Sequence, residues 1–263
     1  MASELYKKKN FLLDLPYLIS IPIYEYDISK ANINILYHEK AISIEEYSRL
    51  RMMSRQSRQV SIGLMIKENP KINEVLANGI IEAKRKFFEA NNIQDNEILS
   101  IKNDAVFVTG RQMQHTKFEN IEFLLKNYYS LYMKIFNLEI YYRSDQVTGW
   151  DMIDVKGIND SKLELHRNGM LVLLSEVFEQ LDCGNLEDAL SIFTEYYNAY
   201  IQRQLPIEFY RTFDSNSSYM VTIMGQSYSV THADINILDI SYNMNFLRQI
   251  YGYISYLYFS TRK

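Results

Sequence analysis

The sequence contains few residues that cross-link a chain or interrupt its helices and strands: one cysteine, four prolines and nine glycines among 263 residues. A single cysteine, Cys183, cannot form an internal disulfide, which excludes a disulfide scaffold. No apolar run reaches the roughly 18 residues that a membrane-spanning helix needs. There is no glycine-rich phosphate loop, and the four histidines are too scattered for a zinc site.

What the sequence does contain is typical of a globular protein. Hydrophobic residues make up 47% and charged residues 23%, so a chain of this length can bury a sizeable core. The net charge of −4 gives no sign of non-specific nucleic-acid binding by the whole surface. Residues 11–23 are a poor signal peptide because Asp14 and two prolines interrupt them, so we expect a cytoplasmic protein. The abundance of Asn, Ile, Lys and Tyr suggests a phage or a low-GC bacterium.

Hydrophobic periodicity in the first half predicts a strand, three helices and a hairpin. Ser43 and Glu46 form a capping box at the start of the second helix, and Ser29 is a candidate cap for the first. A polar Lys-Asn-Asp turn separates the two β-rich runs of the hairpin. The predicted segments are a strand at 23–27, helices after 29, at 44–53 and at 73–90, and hairpin strands at 98–101 and 105–108.

The second half is predicted to be richer in helix. Residues 118–126 and 128–142 fit strands or a strand and a helix, and periodicity does not decide between them. The remaining predictions are helices at 163–181 and 186–201 joined at Gly184, a hairpin at 218–230 and a final amphipathic helix at 235–259. We therefore predict an α+β fold, a small antiparallel sheet with flanking helices, with a weak domain boundary that separates 1–150 from 151–263.

Two acids stand out by their positions in these elements. Asp27 ends a predicted strand, and Asp104 lies in the predicted hairpin turn. Two-metal nucleotidyl transfer needs carboxylates from separate segments that converge on one point, where Mg²⁺ ions activate the attacking group and stabilise the leaving group. The simpler interpretation is that Asp27 caps a helix and that Asp104 is a favourable turn residue.

An arginine-rich stretch separates these two acids. Residues 47–66 contain four arginines and no acid, although the protein is acidic overall. Spacings of four and three would place Arg51, Arg55 and Arg58 on one helical face, where they could bind a triphosphate or a nucleic-acid backbone. A solvated helix face is the equally weighted alternative.

Residues 27–38 resemble motif A of family A DNA polymerases, in which Asp-Tyr-Ser-Gln-Ile-Glu-Leu-Arg is followed by Leu-Ala-His. Residues 100–108 are similar to motif C, the His-Asp-Glu hairpin, and also to the family B pattern Tyr-Gly-Asp-Thr-Asp-Ser. Asn103 and Ala105 replace the His and the Glu of motif C. The positions that match motif A are Asp27, Ser29, Leu36 and His38.

The resemblance implies a palm-like fold and a nucleotidyltransferase or replication protein of phage origin. Asp27 and Asp104 would be its catalytic, Mg²⁺-binding carboxylates, and the nucleotide or nucleic acid would contact the basic residues Arg51, Arg55, Arg58 and Lys102. The alternative is a non-catalytic palm-derived protein that binds a protein or nucleic-acid partner, such as a replisome accessory, a virion component or an anti-defence factor. The loss of the second motif C acid at Ala105 favours this alternative.

The final helix predicts a contact with another protein. Besides an apolar stripe it carries five tyrosines, and tyrosine is favoured where one end of a side chain is buried and the other is wet. We expect this helix to contact a partner or a second copy of the chain, unless the rest of the chain covers both faces. The tyrosines are Tyr242, Tyr251, Tyr253, Tyr256 and Tyr258.

Overall fold

The computed structural model describes residues 18–136, 138–144, 152–157, 169–210, 219–230 and 240–261, and within them the predicted α+β class is confirmed. The helices are α1 (Ala31–His38), α2 (Ile44–Met52), α3 (Arg55–Glu68), α4 (Lys71–Ala90), α5 (Met170–Asp182), α6 (Leu186–Ile201) and α7 (Ile240–Ser260). The strands are β1 (Leu18–Ile19), β2 (Ile23–Ile28), β3 (Ile98–Ile101), β4 (Ala105–Thr109), β5 (Lys117–Phe118), β6 (Ile121–Tyr129), β7 (Leu131–Ile135), β8 (Leu138–Arg143), β9 (Met152–Lys156), β10 (Tyr219–Ile223) and β11 (Gln226–Val230).

The described residues form two compact units. The first contains residues 22–128, and the second contains residues 18–21 and the residues from 129 onward. β8 and β9, which lie on either side of residue 150, pair as neighbouring antiparallel strands of one sheet. The division of the chain therefore falls after Tyr128 and not near residue 150.

The first unit is built on a five-stranded sheet with the order β3-β4-β2-β6-β5. β3 and β4 form the antiparallel hairpin that the sequence predicts, and β2 pairs antiparallel with β4. In that pairing Asp27 lies opposite Ala105, the first residue after the hairpin turn. The end of β2 and the β3–β4 turn are consequently adjacent in space.

Local sequence explains where the helices of this unit begin. Ser43 caps α2, because its Oγ accepts a hydrogen bond from the Glu46 N–H at 3.2 Å, as predicted. Ser54 caps α3 in the same way. The prediction that Ser29 caps α1 is wrong. Lys30 precedes this helix, with φ 43° and no side-chain cap hydrogen bond.

The core of the first unit packs helices against the sheet. Apolar residues of β2 and β4 share one cluster with α1 and α4, including Tyr26, Val106 and Phe87. α1 and α4 approach each other closely at Gly79, where a β-carbon would clash with Cγ2 of Ile35. A glycine is therefore required for these two helices to pack as they do.

In its described residues the second unit contains a four-stranded sheet with the order β1-β7-β8-β9 and three helices. The described residues between 118 and 142, for which periodicity left strands or a strand and a helix open, belong mainly to the strands β5 to β8. α6 ends at Ile201 as predicted, and Gly184, with φ 78°, lies between α5 and α6. The predicted hairpin is present as β10 and β11. Residues 158–168 and 231–239, where predicted helices were to begin, lie outside the described residues.

The final helix, α7, buries the predicted apolar stripe, with Leu247, Ile250 and Ile254 fully buried. Part of its tyrosine-rich surface is also used inside the second unit. The Tyr253 hydroxyl donates a hydrogen bond to the Lys134 carbonyl at 3.2 Å, and the Tyr251 ring stacks on Tyr197. Tyr256 is 73% exposed. The Tyr242 side chain lies outside the described residues, and the partner contact of α7 stays a prediction.

Candidate functional site

A cavity of about 340 Å³ in the first unit is lined by both acids that the sequence singles out. Its walls come from the β2–α1 junction, from α3, from the β3–β4 turn and from β6. The charged residues that line it are Asp27, Lys30, Arg55, Arg58, Asp104 and Lys126. Four cationic and two anionic side chains leave this cavity with a formal excess of two positive charges, although the whole protein is acidic.

The two acids are brought together by backbone pairing. The Ile28 N–H donates a hydrogen bond of 3.0 Å to the carbonyl oxygen of Asp104, which joins the end of β2 to the hairpin turn. Asp104 is exposed, and the Asp27 side chain is 29% exposed. The sequence-based prediction that these two segments converge is consistent with this arrangement, because both carboxyl-bearing residues border the same cavity.

Lys126 supplies a counter-ion that the sequence analysis missed. Its Nζ lies 2.9 Å from Oδ2 of Asp27 and 3.4 Å from Oε1 of Glu25, a residue that is only 1% exposed. Burial lowers the pKa of Lys126, but the carboxylates of Asp27 and Glu25 outweigh that effect and raise the pKa overall. Lys126 is therefore a firmly charged ammonium group beside Asp27.

The cavity also has the features of an anion site. The first turn of α1 borders it; the Ile33 N–H donates to the Lys30 carbonyl oxygen, whereas the N–H groups at the first two positions of a helix have no intrahelical acceptor. No acidic residue lies in this first turn, and the preceding Lys30 also lines the cavity. Arg55 and Arg58 face the cavity from α3. Helix N–H groups together with guanidinium groups are a recurrent arrangement for binding phosphate.

Two of the predicted basic contacts are not among the lining residues. Arg51 belongs to α2 and not to the helix that carries Arg55 and Arg58, because α2 ends at Met52 and Ser54 caps a new helix. The expectation of three arginines on one helical face is therefore wrong. Lys102 is half-buried in the β3–β4 hairpin, where its N–H donates to the carbonyl oxygen of Ala105.

The β2–α1 junction is held in place by Asn34. The buried Asn34 side chain donates a hydrogen bond to the Ser29 carbonyl and accepts one of 3.0 Å from the Tyr47 hydroxyl of α2. The Tyr47 ring in turn stacks on Tyr37, with ring centroids 4.4 Å apart. These contacts connect the wall that bears Asp27 to two helices.

Other features of the described residues bear on which chemistry is available. No group of three or more His, Cys, Asp or Glu side chains gathers there in a way that would hold a metal ion. A second cavity, of about 480 Å³ in the second unit, is lined by Glu187 and Asp188, so its charge does not suit a phosphate. Among the described helices, none combines the length and the apolar character that crossing a bilayer requires.

The fold and the cavity together define an α+β protein with a mixed-charge cavity at one end of an antiparallel sheet. Sequence comparison is more specific: the chain belongs to the bacteriophage PBS1 gene 130 protein family, whose model matches residues 1–255. Comparison with curated proteins yields no match. The family description agrees with the predicted phage source. It names no activity, so the resemblance to polymerase motifs stays a prediction.

Proposed function

We propose that the first unit is a palm-like nucleotide-binding region and that the protein is a phage nucleotidyltransferase or replication protein. The observation that carries this proposal is the convergence of Asp27, Asp104, Arg55 and Arg58 on one cavity. The proposal predicts that the polyphosphate of a nucleotide binds against Arg55, Arg58, Lys30 and the first turn of α1. Such contacts neutralise and orient the phosphates, which is the main contribution a protein makes to phosphoryl-type transfer.

Asp27 and Asp104 carry carboxylate groups, which are suitable ligands for Mg²⁺. The ion prefers carboxylate oxygens and is commonly held by one or two carboxylates together with substrate phosphates, so a pair of acids is a sufficient protein contribution. When bound, Mg²⁺ would polarise the phosphoryl group and lower the pKa of the attacking hydroxyl. Asp27 can contribute both of its oxygens only if the Lys126 ammonium moves away from Oδ2.

A second candidate is supported by that same ion pair. Lys126 already neutralises Asp27 from within the chain, and the residue after Asp104 is Ala105, which has no carboxylate. These two features favour a non-catalytic protein that retains an anion site for a nucleotide or a nucleic acid. A replisome accessory, a virion component or an anti-defence factor that acts in the host cytoplasm would fit this description.

Calorimetric titration of the full chain with dATP, at low salt and with MgCl₂ or EDTA, tests the binding part of the proposal. Arg55→Glu should weaken binding at least about tenfold and reduce its salt dependence. Arg51→Glu is the matched control, since Arg51 is exposed on α2 and does not line the cavity, and it should change affinity less than about twofold. Absence of saturable binding, or equal effects of the two reversals, contradicts the proposal.

Primer extension with the four deoxynucleoside triphosphates separates the two candidates. Extension by the wild type that disappears in both Asp27→Asn and Asp104→Asn supports the nucleotidyltransferase. Binding of dATP without extension, retained in both variants, supports the non-catalytic alternative. Extension that survives in both variants contradicts the assignment of the two acids as metal ligands.

A further inference from the structure

Beneath the hairpin turn lies a buried lysine that the proposed chemistry does not use. Lys84 is in α4 and only 3% exposed, among the buried residues Ala83, Phe87 and Phe88. Its Nζ donates hydrogen bonds to the carbonyl oxygens of Lys102 at 3.3 Å and Asn103 at 3.1 Å. A buried ammonium group is expensive unless it is well paired, so its presence in this core needs a reason.

The two carbonyl groups belong to the turn that holds Asp104. The same turn is attached to the sheet on its other side, since the Ile28 N–H donates to the carbonyl oxygen of Asp104. Lys84 therefore fixes the turn from the helix side, and β2 fixes it from the sheet side. Between these attachments the Asp104 side chain is exposed and borders the cavity.

We propose that Lys84 is a positioning residue, whose ammonium group organises the β3–β4 turn and so sets the place and the electrostatic environment of Asp104 in the cavity. The expected effect of Lys84 on nucleotide binding rests on the proposed function. Its expected effect on the turn is independent of the proposed function. A methionine side chain, which has a similar length, would fill the same space in the core without supplying either the two donors or the charge.

The charge of Lys84 is open to titration. Burial lowers the pKa of Lys84 to about 8, and the negative charge of Asp104 partly opposes this shift. The elements packed against α4 include α1, α3 and β5, and also β2 and β6 through the Phe87 ring, and Asp104 of the turn is the charged group whose field acts on Lys84. Above about pH 8 the side chain that holds the carbonyl groups of Lys102 and Asn103 therefore loses its positive charge.

The first measurement follows the turn by NMR, without a ligand. The amide signals of Asn103, Asp104 and Ala105 should shift between about pH 7 and pH 9 together with the Cε signal of Lys84, and Lys84→Met should abolish this shift. Lys86→Met, on the same helix, should leave it intact, and Lys84→Arg should keep the turn amides near their neutral-pH positions. If the amide signals of the turn change neither with pH nor in Lys84→Met, the inference is overturned.

If Lys84→Met does not fold, Asp104→Asn gives an independent test, because Asp104 is exposed. Removal of its carboxylate should lower the pKa of Lys84 further, and an unchanged pKa overturns the electrostatic part of the inference.

The second measurement is the affinity for dATP as a function of pH. Wild-type affinity should fall about three- to tenfold from about pH 7 to pH 9, and the Lys84→Met profile should be flat. A titrating turn without dATP binding at any pH overturns the proposed function and leaves the positioning role of Lys84 supported.

Discussion

The ammonium group of Lys126 lies 2.9 Å from Oδ2 of Asp27, so the carboxylate that borders the cavity is already paired with a cation of the same chain. Glu25, buried behind it, lies 3.4 Å from the same ammonium group. A divalent cation that binds Asp27 must compete with this internal partner. If the proposed Mg²⁺ binds in this cavity, this ion pair therefore opposes its binding to Asp27.

Replacement of Lys126 tests this competition. In Lys126→Met we expect dATP to bind more weakly in EDTA, because one cation is lost. We expect Mg²⁺ to restore more affinity than in the wild type, because Asp27 becomes available. The ratio of affinities with and without Mg²⁺ should rise about tenfold or more in calorimetric titrations. Lys67→Met, on the exposed end of α3, is the control, and an equal ratio in the two variants would contradict the prediction.

The contact between α1 and α4 gives a prediction for stability. Gly79→Ala should lower the free energy of unfolding by about 1–3 kcal/mol, because its β-carbon meets Ile35. Gly63→Ala is a matched control within α3, since nothing lies within 4 Å of the added carbon, and it should raise stability by about 0.5–1 kcal/mol. Urea denaturation of both variants measures the difference. Changes of the same sign would mean that α1 and α4 do not pack closely at this glycine.

The buried ammonium of Lys84 predicts how stability depends on pH. Its pKa is about 8 in the folded protein and 10.5 as the ordinary value, so between these values the folded state binds fewer protons than the unfolded state. The free energy of unfolding should therefore rise as the pH increases through this window, by at most about 3 kcal/mol from this group.

Other groups also titrate in this pH range, so the comparison must be made against a variant. The rise in stability should be smaller in Lys84→Met than in the wild type and unchanged in Lys86→Met, as measured by urea denaturation at several pH values. Parallel curves for wild type and Lys84→Met would show that Lys84 is not titrated differently in the two states.

The exposed Tyr256 on α7 tests the partner contact. If α7 joins two copies of the chain, Tyr256→Glu should shift sedimentation from an oligomer towards a monomer, because a buried, unpaired carboxylate is costly. Tyr228→Glu, at a tyrosine that is 50% exposed on β11, is the control. Identical sedimentation of wild type and Tyr256→Glu as folded monomers would contradict self-association through this residue.

The parts of the site that the sequence predicted are those set by local pattern. Strand alternation and a polar turn are short-range signals, and they identified the β3–β4 hairpin that carries Asp104 and the strand that carries Asp27. Arg55 and Arg58 were found from charge, but Arg51 was misplaced, because Ser54 permits either a continuous helix or a new cap. That choice depends on packing beyond the local sequence.

The lysines of the site were missed because their roles depend on distant segments. Lys126 meets Glu25 across 101 residues of sequence, and only the neighbourhood of β6 and β2 in the sheet brings them together. Lys84 is one of several lysines along the chain, and helical periodicity does not reveal that its ammonium group reaches two carbonyl groups of a hairpin. Cross-strand and helix-to-turn contacts of this kind are not encoded in a short window.

The central position of β2 has a consequence for how the first unit folds. α4 and the β3–β4 hairpin close only short loops, whereas the Tyr26 hydroxyl accepts its hydrogen bond from the Met113 N–H, 87 residues away. Closing a long loop costs entropy before its contacts are gained, so non-local pairings form slowly. We therefore expect β2 to dock late in folding, between β4 and β6. An intermediate of this unit would carry the Asp104 turn before Asp27 arrives, and the cavity would be among the last features to form.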